Sequence, residues 1–313
     1  MQAQKRDDQD ASRRLLQRAQ SVLAEQLEQP LPPGLYLVAT PIGNLSDISL
    51  RALAVFARAD LIAAEDTRHS RKLLSHFGIR GELTPYHEHN AAKERPRLLA
   101  RIRAGFSVAL ISDAGTPLIS DPGYKLVRQA LEAGLHVTSV PGASAALAAL
   151  TNAGLPTDTF LFAGFLPPKA GPRRKRLEEL KPVPATLVFF ETASRLNATL
   201  ADMAQAFGAR EAAVAKEVTK LHESITRGTA AELAAQIEPS QGLKGEFVVL
   251  VGPPRPDEGL VGDDAIVASL KQALKHESFR DAVRGVAEKF ALKRSRVYEL
   301  GLGFGLGRKD RDA

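Results

Sequence analysis

The stretch Val108-Ala-Leu-Ile-Ser-Asp-Ala-Gly-Thr-Pro-Leu-Ile-Ser-Asp-Pro-Gly-Tyr-Lys-Leu-Val127 decides how the whole chain is read. It begins as an apolar run, Val108 to Ile111, and breaks into the turn-rich Asp113-Ala-Gly-Thr-Pro117. That pattern predicts a buried strand ending in a tight loop. Beyond Asp121-Pro-Gly123 the apolar spacing becomes helical, with Leu126, Val127, Ala130 and Leu131 on one face. Strand, Gly/Pro loop and helix form the unit that places ligands at the carboxyl edge of an α/β sheet. Gly115 lets a backbone come close to a ligand, and Asp113 can accept hydrogen bonds from a hydroxyl or an amine. Taken alone, the stretch is explained equally well as an ordinary βα turn.

The chain has 313 residues, which predicts two domains with room for an appendage. With 25% charged and 44% hydrophobic residues it has the composition of a soluble globular protein. No run approaches the roughly 18 apolar residues of a membrane helix, and no apolar signal core follows the polar Met1 to Asp10. Membrane association is therefore not expected, and a cytosolic location is the default. The absence of cysteine excludes disulfides, thiol nucleophiles and thiolate metal sites. A net charge of +6 is compatible with a polyanionic partner.

Other segments repeat the strand–loop–helix pattern. Leu35 to Ala39 predicts a strand that breaks at Thr40-Pro-Ile-Gly-Asn-Leu-Ser-Asp47, with Asp47 or Ser49 capping a helix that starts near Leu50. Gly43 and Asn44 can take unusual backbone angles there. Leu61 to Ala64 is a short strand ending at Glu65-Asp-Thr-Arg68, which is either a site-like cluster or an acidic helix start. Leu83 to Tyr86 is a weak strand. The following His87-Glu-His-Asn90 lacks helical spacing and a third strong ligand, so no metal site is expected. His136 to Val140 is a further strand, and its Pro141-Gly-Ala-Ser144 loop opens an Ala-rich helix whose small first residues let a ligand approach its N-terminus. Four strands alternating with helices predict a parallel α/β domain over residues 34–157.

Residues 158–252 carry strands at Phe160–Leu166, Thr186–Phe190, Glu211–Glu217 and Gly245–Gly252, a smaller mixed α/β domain. Between the first two lies Pro167 to Lys181, expected to be a loop, with six Lys/Arg against two Glu. It is either a solvated loop or a clamp on phosphates. Residues 1–33 form an extension with a helix over 11–28, expected to be mobile and without chemistry. The Pro253-Pro-Arg-Pro-Asp-Glu258 linker opens the 253–313 tail, where three short helices with a joint near Ala291-Leu292 suggest a helix-turn-helix. Ser278 with Asp281 resembles a capping box. From Lys271 to Ala313 there are eleven Lys/Arg and six Asp/Glu, so the tail is a candidate for holding RNA or for packing as a support. Glu299-Leu-Gly-Leu-Gly-Phe-Gly305 imitates a nucleoside-binding glycine loop, but too few residues follow it to complete the βαβ unit such a loop needs.

The ordered motifs Val38-Ala-Thr-Pro-Ile-Gly-Asn-Leu-Ser-Asp47, Ala64-Glu-Asp-Thr-Arg68, Tyr86-His-Glu-His-Asn90, Ser112-Asp-Ala-Gly-Thr-Pro117, Pro141-Gly142, Gly164-Phe-Leu-Pro167 and Glu217-Val-Thr-Lys220 resemble the ribosomal RNA small subunit methyltransferase I family. The resemblance covers residues 34–252. It implies a two-domain α/β fold of the tetrapyrrole-methylase type, with the three-helix, helix-turn-helix-like tail as an appendage. It also implies S-adenosyl-L-methionine as cofactor, and a cytidine ribose 2′-oxygen of 16S rRNA in the 30S subunit as the methyl acceptor. A homodimer is expected, because dimers are common in this fold.

By the same resemblance Pro41, Gly43 and Asn44 line the cleft, Asp113, Gly115, Thr116 and Pro117 cradle the cofactor, and Ser144 with Ala145 adds contacts. Phe190 and Glu191 would close over it from the second domain. A ribose hydroxyl is a poor acid, so a nearby base would help. Glu65 and Asp66 are the candidates, with Arg68 orienting a phosphate; His87 and Lys216 remain open as the base. Two other classes stay in view: a methylase of corrin or porphyrin precursors, and a non-catalytic RNA-binding assembly protein.

Overall fold

Apolar runs four or five residues long build the first of two sheets. The computed structural model describes residues 2–237, 245–254, 263–290, 292 and 294–307, with side chains from residue 10 onward. The chain divides into two compact units, residues 1–178 with 185–252, and residues 179–184 with 253–313.

In the first unit α1 (Gln2–Glu28) precedes β1 (Gly34–Val38), α2 (Leu50–Arg58), β2 (Leu61–Ala64), α3 (Thr67–His76), β3 (Leu83–Pro85), α4 (Ala91–Arg103), β4 (Ser107–Ile111), α5 (Tyr124–Glu132), β5 (Val137–Val140) and α6 (Ala145–Ala153). Five strands, not four, form a wholly parallel sheet in the order β3-β2-β4-β1-β5; the weak Leu83 segment is its edge. Ser49, not Asp47, caps α2, its side chain accepting from the Ala52 amide. The helix of the extension is longer than the expected 11–28: α1 runs over Gln2–Glu28, and the Leu27 carbonyl accepts a hydrogen bond from Arg58 of α2 at 2.7 Å.

Alternate residues of β4 enter different cores. Ala109 and Ile111 join Tyr36, Phe56 and Leu74 on one face, while Val108 and Leu110 join Leu35, Leu98 and Leu126 on the other. Helices cover both faces of a parallel sheet, so its strands need apolar residues at consecutive positions. Each such side chain contributes about 1.5–3 kcal/mol on burial. The connection leaving β1 runs toward β2, and the one leaving the adjacent β4 runs the other way, toward β5. Crevices at the carboxyl ends of strands open where the connections diverge in this way.

The second sheet follows from β6 (Phe160–Phe165), α7 (Ala170–Leu180), β7 (Thr186–Thr192), α8 (Leu196–Phe207), β8 (Glu211–Lys216), β9 (Ser224–Thr229), α9 (Ala230–Gln236) and β10 (Glu246–Val251). Its order is β6-β7-β10-β8-β9, parallel only between β6 and β7. Helix α6 leaves the first sheet but packs on the second. Ala146, Ala149, Leu150 and Ala153 share a core with Val188, Ala213, Val248 and Leu250. Its alanines allow that close approach.

The segment Pro167 to Lys181 is not a loop. Most of it is α7, and its charge is partly structural: buried Asp202 on α8 receives Arg173 at 2.6 Å and Arg174 at 2.7 Å. A phosphate clamp would need those cations free.

In the second unit α10 (Asp263–Ala273), α11 (Phe279–Lys289) and α12 (Arg294–Gly303) surround Ile266, Leu270, Val283, Val286 and Val297. Ser278 caps α11, accepting from the Asp281 amide at 3.2 Å. The glycine-rich Glu299 to Gly305 stretch serves packing: a Cβ on Gly301 would sit 2.8 Å from the Phe279 ring. Ala291 of the expected joint and residues 255–258 of the expected linker lie outside the described residues.

Replacing Asp202 with Ala should leave Arg173 charged and buried without its partner. Removing one member of a buried pair costs about 3–5 kcal/mol. Chemical denaturation should show a loss of that order; a change below about 1 kcal/mol would mean that water reaches Arg173 readily.

Candidate active site

Three loops at the carboxyl ends of β1, β4 and β5 are bound to one another. Thr40 and Gly115 form an isolated antiparallel bridge, with backbone hydrogen bonds of 2.9 and 3.1 Å. Gly115 holds φ at +81°, and a Cβ there would sit 3.2 Å from Ile42. A side chain would therefore strain the backbone and crowd the neighbouring loop. Thr116 Oγ1 donates to the Ala143 carbonyl at 3.3 Å and so ties in the loop before α6. Asp113 reaches the other way, accepting the Asp66 amide at 3.0 Å.

These loops face β7 and β10 across a cleft of about 350 Å³. Ile42, Glu65, Asp113, Gly115, Thr116, Asp121, Ser144 and Ala145 line it from the first half, and Phe165, Phe190, Glu191, Val218, Glu246 and Phe247 from the second. Phe190 packs edge-on against Phe162 and Phe165 at 4.9 and 5.6 Å, making a rigid aromatic wall. Loops on both sides are strained. Leu118 and Ser120 have φ of 72° and 68°, and Glu217 and Thr219 have 52° and 66°. Such values are costly for non-glycine residues and collect at functional sites.

A second cavity of about 680 Å³ adjoins the first and shares Ile42, Asp113, Ala114 and Glu246 with it. Pro41 and Gly43 line this neighbour. Lys220 crosses above Gly43, where a Cβ would collide with Lys220 Cγ. Lys220 is held by Glu217 at 3.0 Å and Glu246 at 2.8 Å.

The expected site residues thus divide. Glu65, Asp113, Gly115, Thr116, Ser144, Ala145, Phe190 and Glu191 meet in the smaller cleft. Asn44 is spent on a turn, its side chain accepting from the Ser46 amide at 3.0 Å, and Pro117 lines neither cavity. Glu191 brings its backbone edge rather than a free carboxylate. Its oxygens are engaged by the Thr192 amide at 2.8 Å, Thr199 at 2.7 Å and Arg195 at 3.3 Å.

Asp66 and Arg68 turn away from the cleft. Asp66 caps α3 by accepting the Arg68 amide, and it pairs with the Arg68 side chain at 2.8 Å. Arg68's hydrogen bonds hold the Asp66 carboxyl far below the usual range, which makes it a weak base. Sequence patterns miss Asp121, which looks like a turn residue, and Glu246. Glu246 reaches the cleft because β10 runs antiparallel to β7, placing it opposite Thr192.

The cleft is acidic. Burial raises the Glu65 carboxyl above its ordinary value, and the charge of Asp113 adds to this; a hydrogen bond from the Asp113 backbone and the His87 charge partly offset it. Asp121 is pushed up to about 6 by burial first and by the charge of Glu65 next, against a hydrogen bond from Ser112, with Asp113 adding a further rise. Carboxylates crowded in an apolar cleft suit a cationic ligand, whose charge relieves their repulsion. Among the described residues no group of His, Asp and Glu could hold a metal ion.

A family model described as Tetrapyrrole (Corrin/Porphyrin) Methylases matches residues 34–234. A ribosomal RNA small subunit methyltransferase I from Mesorhizobium japonicum is 58% identical over 226 residues, covering 72% of this chain and 77% of that protein. One of the same name from Pseudomonas aeruginosa is 47% identical, covering 86% of this chain and 96% of its own. Among solved structures, uroporphyrin-III-C-methyltransferase from Thermus thermophilus matches with a TM-score of 0.52 at 24% identity, over 70% of this chain and 94% of that one. A diphthine synthase matches with a TM-score of 0.53 at 15% identity, over 70% and 89% of the two chains. At such identities the likeness is one of fold.

The raised Asp121 pKa makes stability depend on pH. Between the ordinary value of 3.8 and about 6 the folded chain keeps a proton that the unfolded chain has released, so this group's contribution falls as pH rises through that window. Asp121→Asn should raise the melting temperature near neutral pH, and the gain should shrink toward pH 4. An equal gain at both ends would show that Asp121 titrates normally.

Proposed function

The chain belongs to the ribosomal RNA small subunit methyltransferase I family within the tetrapyrrole methylases, and on that premise we propose that it transfers a methyl group from S-adenosylmethionine to the ribose 2′-oxygen of a cytidine in 16S rRNA. The observation that carries this reading is the acidic, apolar-walled cleft at the ends of β1, β4 and β5.

The residues present fit the cofactor. Its sulfonium and ammonium are cationic, and Glu65, Asp113 and Asp121 supply compensating charge. Gly115 lets the loops after β1 and β4 close on each other, with Ile42 packed where its side chain would be, and so fixes the cleft floor against which a nucleoside would lie. Ile42, Phe190 and Val218 would hold its apolar parts and exclude water, and Ser144 and Ala145 leave the α6 entrance open. When bound, S-adenosylmethionine supplies a methyl group already activated as an electrophile.

The protein's task is then to orient the acceptor oxygen and to receive its proton. Displacement at a methyl carbon is geometrically strict, so bonded, strained loops serve by fixing position. A carboxyl raised toward neutrality accepts a proton better than one held far below it. That favours Glu65, with Asp121 as its charged neighbour, over Asp66. The same reading takes the acceptor in the context of the 30S subunit, and the enzyme as a cytoplasmic homodimer. Separately, no helix among the described residues is long and apolar enough to cross a membrane.

Transfer of label from methyl-tritiated S-adenosylmethionine tests the reading, using 30S subunits from cells lacking this enzyme alongside a tetrapyrrole precursor. Label should reach the 2′-oxygen of one cytidine and leave the precursor bare; the reverse pattern would overturn the assignment. Glu65→Gln should lower single-turnover transfer by about 10²–10⁴-fold, with cofactor affinity falling far less. A full single-turnover rate in that variant would remove Glu65 as the base.

A further inference from the structure

Helix α3 has three faces with different tasks. Ser70, Leu73 and Leu74 are buried, with both leucines in the core of the first sheet. Arg68, Arg71, Lys72 and Ser75 line a shallow groove of about 370 Å³ on the outside. His69, Lys72 and His76 face the 680 Å³ cavity beside the acidic cleft. Lys72 borders both spaces, so a basic path runs from the outer groove through the cavity to the wall shared with the cleft.

The charge along this path is largely uncommitted. The helix carries three Lys/Arg and two His and no acidic residue. Among the described residues the side chains of Arg71 and Lys72 make no ion pair or hydrogen bond, and both are exposed. The carboxylates nearby are already engaged: Asp66 by Arg68, Asp113 by the Asp66 amide, and Glu246 by Lys220. Other basic regions also hold exposed cations, Lys169 and Lys175 at α7 and Lys271, Lys275 and Arg280 in the C-terminal unit, but none of these lines either cavity, and several of their neighbours are paired. On α7, Arg173 and Arg174 hold Asp202. In the C-terminal unit Arg284, Arg294 and Arg296 pair with Asp281, Glu288 and Asp263.

We propose that the exposed face of α3 seats the phosphodiester backbone of the RNA strand next to the target nucleotide, with Lys72 handing the strand from the outer groove into the cavity beside the cofactor cleft. The proposal rests on the rRNA reading above and adds where the strand runs. Leu45, Leu73 and Pro41 give the cavity an apolar lining against which a base can lie, and the cations border it. A single strand is held by cations along its backbone and by flat rings on which its bases stack, and the His69 and His76 rings border this cavity. From Arg68 to Ser75 the helix rises about 10 Å at 1.5 Å per residue, which spans about two phosphates.

The test uses the full-length Arg71→Gln/Lys72→Gln double variant, beside the Arg71→Lys/Lys72→Arg variant that keeps the charge. Binding to 30S subunits is measured across a salt series, with KM, kcat and calorimetric affinity for S-adenosylmethionine. The neutral variant should bind subunits about tenfold more weakly and flatten the log–log salt slope by about 1.4, about 0.7 for each of two single-strand phosphate contacts. Its kcat at saturation and its cofactor affinity should hold, and the charge-keeping variant should behave as wild type. Unchanged affinity and slope in the neutral variant would overturn the proposal while wild-type transfer to 30S subunits leaves the substrate reading standing. Failure of wild type to methylate the subunits would overturn both. If Arg284→Gln/Arg294→Gln flattens the slope and the α3 variant does not, the C-terminal unit is the seat instead.

Discussion

Two backbone hydrogen bonds between Thr40 and Gly115 hold the site together. They join loops from neighbouring strands whose helical connections leave in opposite directions, so without them the crevice between β1 and β4 has no fixed floor. The bridge depends on a left-handed residue at Gly115, and Thr40 is further tied by its hydroxyl to the Ser112 carbonyl at 3.3 Å. Asp113 and Thr116 carry the constraint outward to the loops after β2 and β5. One short piece of non-sheet pairing thus sets the relative position of four loops.

Much of the first sheet is legible in the sequence because its strands are short apolar runs between glycines and prolines, and two-sided burial demands that composition. The edges are less so. β3 is three residues long, and β9, Ser224-Ile-Thr-Arg-Gly-Thr229, is too polar to stand out; it forms because β8 offers it a partner. α7 looks like a loop because Pro172 and a run of cations outweigh its few apolar residues. Its buried side is made by Leu177 and Leu180 together with Arg173, whose charge is met by Asp202, a carboxylate about thirty residues away in sequence. Site residues just after strands of the first sheet were visible for the same reason as the strands. Asp121 and Glu246 were not, since one depends on the fold of a strained loop and the other on an antiparallel pairing that no local pattern announces.

The acidic character of the cleft is bought with stability. Glu65 and Asp121 are held where their charge is disfavoured, and the loops that present Ser120 and Val218 carry residues in the left-handed region. A cationic ligand relieves the first cost, and the bonded loops and aromatic wall hold the second in place. The arrangement suits displacement at a small carbon centre, where distance and angle decide the rate more than any one group's acidity.

Helix α6 begins at the end of the first sheet and is buried in the core of the second. It works as a dowel set into the second half and tied to the first by only the four residues 141–144. So short a tether keeps the end of β5 close to the second sheet. The helix also fixes the spacing of the halves in units of helix turns. A residue inserted into α6 would rotate its alanines off the second sheet by about 100°, moving Phe190 and Glu246 relative to Gly115. Helix α6 is therefore closed to the gradual lengthening that surface loops tolerate.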